Sequence, residues 1–126
     1  IDFICSDHTP VDIEEKTLPF SEAAEGQTGT DLLLPLILSW ANRHKIEMHE
    51  ALNLISTKPA NVLNEKISKV EEGAVANLTV FGVNDSWLVE EQTLLSQGKN
   101  SPFLGYEMYG KVHATIMSGR LVFLKD

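Results

Sequence analysis

The chain has 126 residues, enough for one modest domain with a core of its own. At 43% hydrophobic and 22% charged residues it reads as globular, not disordered. A formal net charge of -8, from 18 acidic and 10 basic residues with no Lys/Arg cluster, argues against a nucleic-acid surface.

Residues 1–5, Ile-Asp-Phe-Ile-Cys, predict a buried strand. The single cysteine, Cys5, excludes a disulfide framework and suits a reducing cytoplasm. No nearby group activates it, so it reads as core packing and not as a nucleophile. Ile1 has no initiator Met and enters mid-strand, which predicts a piece of a longer chain. Ser6-Asp7-His8-Thr9-Pro10-Val11 follows. An acid where a buried strand ends is where barrel enzymes keep catalytic groups, within reach of a metal or a substrate. The alternative for Asp7 is an Asx-turn or helix cap that only satisfies backbone N–H groups. Residues 6–29 form a long loop carrying Asp12, Glu14, Glu15, Lys16 and Pro19, of a length that is functional or disordered in compact domains.

Thr30 or Asp31 is then expected to cap a helix to about His44. Its apolar residues run nearly all round, from Leu32 to Ala41, which predicts burial on most sides. Pro35 lies near its first turn, where proline is tolerated. The apolar run Leu32 to Leu38 is far too short to span a bilayer, and no signal peptide is visible. A second helix is expected from about Met48 to Ser56, ended by Lys58-Pro59. A short one from Pro59 to Leu63 follows, with proline first.

From residue 65 the texture turns to β. Val70 to Ala74 reads as a turn, Asn77 to Phe81 as an alternating strand, and Trp87 to Val89 as a second, short strand. Residues 92–110 read as a glycine-bearing loop. Val112 to Met117 and Leu121 to Leu124 form a hairpin across Ser118-Gly119. There is no internal repeat and no low-complexity segment.

Asp7 and His8 are a candidate metal-ligand pair, but neighbours at a strand end point to opposite sides and a zinc site needs three or four ligands. His44, His49 and His113 stand at no metal spacing with each other; they read as helix-end and strand-face residues. Glu25-Gly26-Gln27-Thr28-Gly29-Thr30 opens a helix, and its backbone N–H groups could meet an anion or a carbonyl oxygen. It lacks the lysine of a phosphate loop, and the alternative is an ordinary loop with glycine at positive φ.

Taken together, these segments resemble the C-terminal part of dihydroorotases, of the cyclic-amidohydrolase group. The matching pieces are Ser6 to Pro10, Glu14-Glu15-Lys16, and Gly26 to Gly29 leading into Leu34-Pro35-Leu36. They continue with Ser56 to Ala60 and Val62-Leu63, then Val70 to Leu78, Lys99 to Gly105, Gly110-Lys111-Val112 and Gly119 to Val122. Each is short; their shared order and spacing cover nearly the whole chain.

The resemblance implies an α/β fold: the end of a (β/α)8 TIM barrel, with part of a small β-sandwich. Residues 1–64 would hold the last barrel strand, active-site loop and following helices, and residues 65–126 the C-terminal share of the sandwich. It implies Asp7 as the catalytic residue beside one or two zinc ions, taking a proton from metal-bound water and returning it to the leaving nitrogen. The other ligands, an HxH pair, further histidines and often a carboxylated lysine, come from earlier strands in such enzymes. The backbone around Gly26 would face the substrate ring. The implied reaction is dihydroorotate to N-carbamoyl-aspartate in pyrimidine biosynthesis, in the cytoplasm, by a homo-oligomer.

Two positions depart from the family pattern. Val11 stands where dihydroorotases usually carry a His that holds the substrate carboxylate, and valine cannot pair with an anion. Asn77 replaces an Asp in the sandwich turn, with consequences for stability only. Val11 keeps two other functions open: a hydantoinase- or allantoinase-type amidase, and a non-catalytic homologue acting as structural partner of aspartate transcarbamoylase. The 126 residues alone are expected to be inactive and, with helix 31–44 uncovered, to self-associate.

Overall fold

The computed structural model describes residues 1–67 and 69–125. Its elements are α1 (Ile13–Lys16), α2 (Leu33–His44), α3 (Met48–Ile55), α4 (Thr57–Val62), β1 (Leu78–Leu88), β2 (Glu107–Met117) and β3 (Arg120–Leu124). Helices come first and a three-stranded antiparallel sheet in the order β1-β2-β3 follows.

Residues 1–5 are not a strand here. A strand is defined by a ladder partner, and the ladders among the described residues are β1 with β2 and β2 with β3. The Ile4 N–H instead donates to the Leu54 carbonyl at the end of α3, 2.9 Å away. Ile4 is half-buried, and Cys5 is exposed, not packed in the core as the sequence suggested.

The long helix is entered through a 3-10 turn, Thr30–Leu32, with Gly29 at its N-cap. Neither Thr30 nor Asp31 caps it with a side chain; the Asp31 carboxylate accepts from the Ser96 N–H at 3.3 Å instead. Pro35 sits third in α2, where its missing N–H costs no helical bond. Pro35, Ile37, Leu38 and Ala41 are buried, while Leu33, Leu34, Leu36 and Trp40 are only half-buried. Burial on most sides is therefore not reached within this chain. α2 ends in a left-handed Lys45 (φ 54°), with Ile46 N–H reaching back to the Ala41 carbonyl at 2.9 Å, a Schellman closure made without glycine.

Proline does not end α3. The break is Ser56 (φ -131°, ψ -80°), and α4 restarts at Thr57, placing Pro59 third and not first.

The two strands expected at 77–81 and 87–89 are one strand. β1 runs through an irregularity in which Gly82 pairs with Lys111 and Ser86 with Tyr109, so that residues 83–85 oppose Gly110 alone. β2 likewise begins at Glu107, inside the expected loop. Gly110 has φ +94°, and a Cβ there would lie 2.6 Å from Leu38 Cδ1. The glycine thus lets α2 lie directly on β2. The hairpin is as expected: Ser118 (φ 51°) and Gly119 (φ 78°) make a two-residue primed turn. Asn77 Oδ1 accepts from the Ser118 N–H at 2.7 Å, and the Gly119 N–H donates to the Ala76 carbonyl at 2.9 Å, so the two residues before β1 clamp the turn.

Two apolar clusters bind the halves together. Leu32, Val89, Leu94 and Met108 form one, with Leu36, Trp87 and Phe103 against it. Ile37, Leu38, Ala41 and Ala51 form the other, joined by Ile4, Trp40 and Phe81 among others.

Candidate active site

Three segments far apart in sequence meet at one place: residues 6–11, residues 26–30 and residues 98–101. The middle one is the binder. Its Thr28 is fully buried. The Thr28 N–H donates to the Asn100 carbonyl at 2.8 Å, and its hydroxyl donates to the Gly98 carbonyl. Asn100 returns the link, its Nδ2 donating to the Gly26 carbonyl at 3.1 Å. On the other side, the Thr9 N–H donates to the Gln27 carbonyl at 3.1 Å.

Glycine permits this stacking at two points. A Cβ on Gly26, which has φ +125°, would run into the Thr9 carbonyl oxygen. One on Gly29 would come within 2.5 Å of the Ser6 carbonyl oxygen. Gly98 does the same for the third segment: a Cβ there would lie 2.6 Å from Pro10 Cβ and 3.2 Å from the Val11 nitrogen. Val11 itself is half-buried.

Asp7 rises from this layer. It is exposed and its backbone is left-handed, with φ 46°, a conformation that Asp tolerates better than most residues. Among the described residues its side chain makes no hydrogen bond or ion pair, so it is neither an Asx-turn nor a helix cap in this structure. His8 takes the capping role instead. Its Nδ1 accepts from the backbone N–H groups of Gly29 and Thr30 at 3.1 Å and 3.2 Å. Two donors left free by the first turn are thereby satisfied, and the imidazole must carry its proton on Nε2.

Among the described residues no three His, Cys, Asp or Glu side chains stand close enough to hold a metal ion. His8 has its Nδ1 engaged, and Asp7 offers one carboxylate. These residues therefore do not fit a zinc ion by themselves. His113 belongs to another surface, with Nε2 2.7 Å from Asp85 Oδ2 in the β1 irregularity. A cleft of ≈ 360 Å³ between the first segment and α2 is lined by Ile4, Ser6, Leu33, Leu36 and Trp40 among others, and Asp7 is not on its wall.

The structure thus brings Asp7, Val11 and Gly26 into one neighbourhood. Two contributors escaped the reading of the sequence. From sequence, His8 reads only as a metal ligand and Asn100 only as part of a matching segment. The spacing of His8 from Gly29 carries no local signal, because the contact closes a loop of twenty-one residues.

No family model matches the chain. Curated relatives do. The chain is 36% identical over 123 residues to the dihydroorotase of Anaplasma phagocytophilum, covering 98% of this chain and 28% of that one. It is 34% identical over 126 residues to that of Syntrophus aciditrophicus, covering 100% and 30%. Over nearly its whole length the chain is similar to dihydroorotases. The dihydroorotase of Clostridioides difficile gives 36% over 124 residues, covering 98% and 29%. The chain therefore spans less than a third of the length of these relatives, and the matched stretch is their C-terminal portion. Among solved structures, a D-hydantoinase superposes with TM-score 0.80 at 16% identity, covering 96% of this chain and 28% of that one. The D-hydantoinase (dihydropyrimidinase) from Thermus sp. gives TM-score 0.82 at 22% identity over the same shares. The helices and three-stranded sheet thus share their fold with that part of a hydantoinase. No helix among the described residues is long and apolar enough to cross a membrane.

Proposed function

We propose that this chain forms the C-terminal part of a dihydroorotase-type cyclic amidohydrolase and carries its proton-transfer carboxylate, Asp7. One observation carries the reading: Asp7 is the acid that the three-segment layer holds up exposed, in a left-handed backbone and with no side-chain bond among the described residues. Strained backbone of this kind, over-determined by its surroundings, clusters at functional sites. The identity to dihydroorotases over nearly the whole chain supports the reaction class.

In this reading Asp7 takes a proton from the attacking water and delivers it to the ring nitrogen as the amide C–N bond breaks. The Gly26–Gly29 backbone faces the ring. Residues 1–64 supply the end of a (β/α)8 barrel and residues 65–126 part of a β-sandwich. One or two zinc ions belong to the proposal, with further ligands from outside these 126 residues. The preferred substrate is dihydroorotate, in pyrimidine synthesis. Val11 favours a second reading, a hydantoinase- or allantoinase-type amidase, because an apolar side chain offers a substrate carboxylate no partner.

The test is turnover by the full native protein of dihydroorotate, a hydantoin and allantoin, with bound zinc measured alongside. Ring opening of dihydroorotate above the other two supports the first reading. Preference for an uncharged ring supports the second, and a zinc-free protein that opens none of the rings rejects both.

A further inference from the structure

Thr28 and Asn100 tie the middle segment to residues 98–101; among the described residues, the side chain that ties the Asp7 segment to the start of α2 is His8. Its Nδ1 accepts from both Gly29 N–H and Thr30 N–H. Those two residues sit at the N-cap and first position of the 3-10 turn, so their donors have no helical acceptor. A helix start is normally satisfied by Ser, Thr, Asp or Asn at the N-cap itself. Here the N-cap is glycine, pressed so close to the Ser6 carbonyl that no side chain fits. The acceptor must therefore come from elsewhere, and it comes from the residue next to Asp7.

The consequence reaches Asp7 directly. Among the described residues its carboxylate makes no bond. Its left-handed backbone is flanked on the C-terminal side by two polar anchors among the described residues, the His8 imidazole and the Thr9 N–H to Gln27. We infer that His8 is a positioning residue. Through Nδ1 it ties the backbone that carries Asp7 to Gly29 and Thr30, and it is not a ligand or proton carrier through that nitrogen. This rests on the reading of Asp7 as the reacting acid, but the bond itself stands apart from it.

The geometry supplies a discriminating pair of variants. Asn places Oδ1 the same number of bonds from Cα as His Nδ1, whereas Gln places its acceptor one bond further, at the reach of Nε2. The full native protein is made as His8→Ala, His8→Asn and His8→Gln. Backbone hydrogen exchange over residues 26–32 and steady-state kinetics on the ring the native protein opens are then measured. The inference predicts that His8→Ala loses protection at Gly29 and Thr30 and drops kcat about 100-fold, the scale of a 1 Å misplacement, with KM little changed. His8→Asn restores both; His8→Gln restores neither.

Rescue by Gln and not by Asn would place the function at Nε2 and overturn the inference. So would unchanged protection in His8→Ala. If the native protein opens no ring, the proposed reaction fails while hydrogen exchange still decides the bond. If His8→Ala does not fold, the contrast between Asn and Gln decides it.

Discussion

Gly26→Ala is the change that most directly probes how the three segments are stacked. At φ +125° the backbone is in a region kept for glycine, and an L side chain there costs about 1–3 kcal/mol. The new methyl also has no room. It would meet the Thr9 carbonyl oxygen, with Thr9 Cγ2 at 2.9 Å and Thr9 Cβ at 3.0 Å. Carbon atoms rest about 3.5–4.0 Å apart, so the Thr9 backbone must retreat by on the order of 1 Å. That movement breaks the 3.1 Å bond from Thr9 N–H to Gln27, worth about 1 kcal/mol. The expected loss is about 2–4 kcal/mol in urea unfolding at unchanged m. Turnover should fall about 100-fold, because Asp7 moves with Thr9. A variant within about 0.5 kcal/mol of the native protein, with full turnover, would refute the close stacking of these segments.

Two further changes test the supports. Thr28→Val keeps the buried shape but leaves the Gly98 carbonyl without its hydroxyl donor, and should cost about 1–3 kcal/mol in the same unfolding assay, with Thr28→Ser costing less. Asn77→Ala removes the acceptor for Ser118 N–H and should cost about 1 kcal/mol, while Asn77→Asp keeps that acceptor and should cost less; turnover should be untouched by either.

The parts of the fold legible in the sequence are those fixed by neighbours. Ser118-Gly119 announced its turn because two adjacent residues needed positive φ. The apolar spacing of residues 33–44 and 48–55 gave two helices to within a residue or two. What failed depended on distant atoms. Gly82 and Gly110 looked like loop residues, yet both lie within strands: residues 83–85 bulge out of the first, and Gly110 makes room for Leu38. Cys5 looked buried because its neighbours are apolar, but its surroundings are set by tertiary packing. In the candidate site, Asp7 stood out as the acid at the end of an expected strand over residues 1–5, which this structure does not form, and Gly26 and Gly29 stood out from their spacing. That His8 would cap a helix start twenty-one residues away, because Gly29 cannot, is a property of the folded loop alone.

The central claim is that the Asp7 carboxylate does chemistry and holds nothing together. Asp7→Asn tests it most directly in the full native protein. Asn accepts the same left-handed backbone, and the carboxylate makes no bond among the described residues. Unfolding should therefore stay within about 0.5 kcal/mol of native. Ring opening should fall by about 100-fold or more as the proton acceptor is lost. Ring opening that survives the substitution would contradict the claim, and so would a variant that loses activity only because it no longer folds.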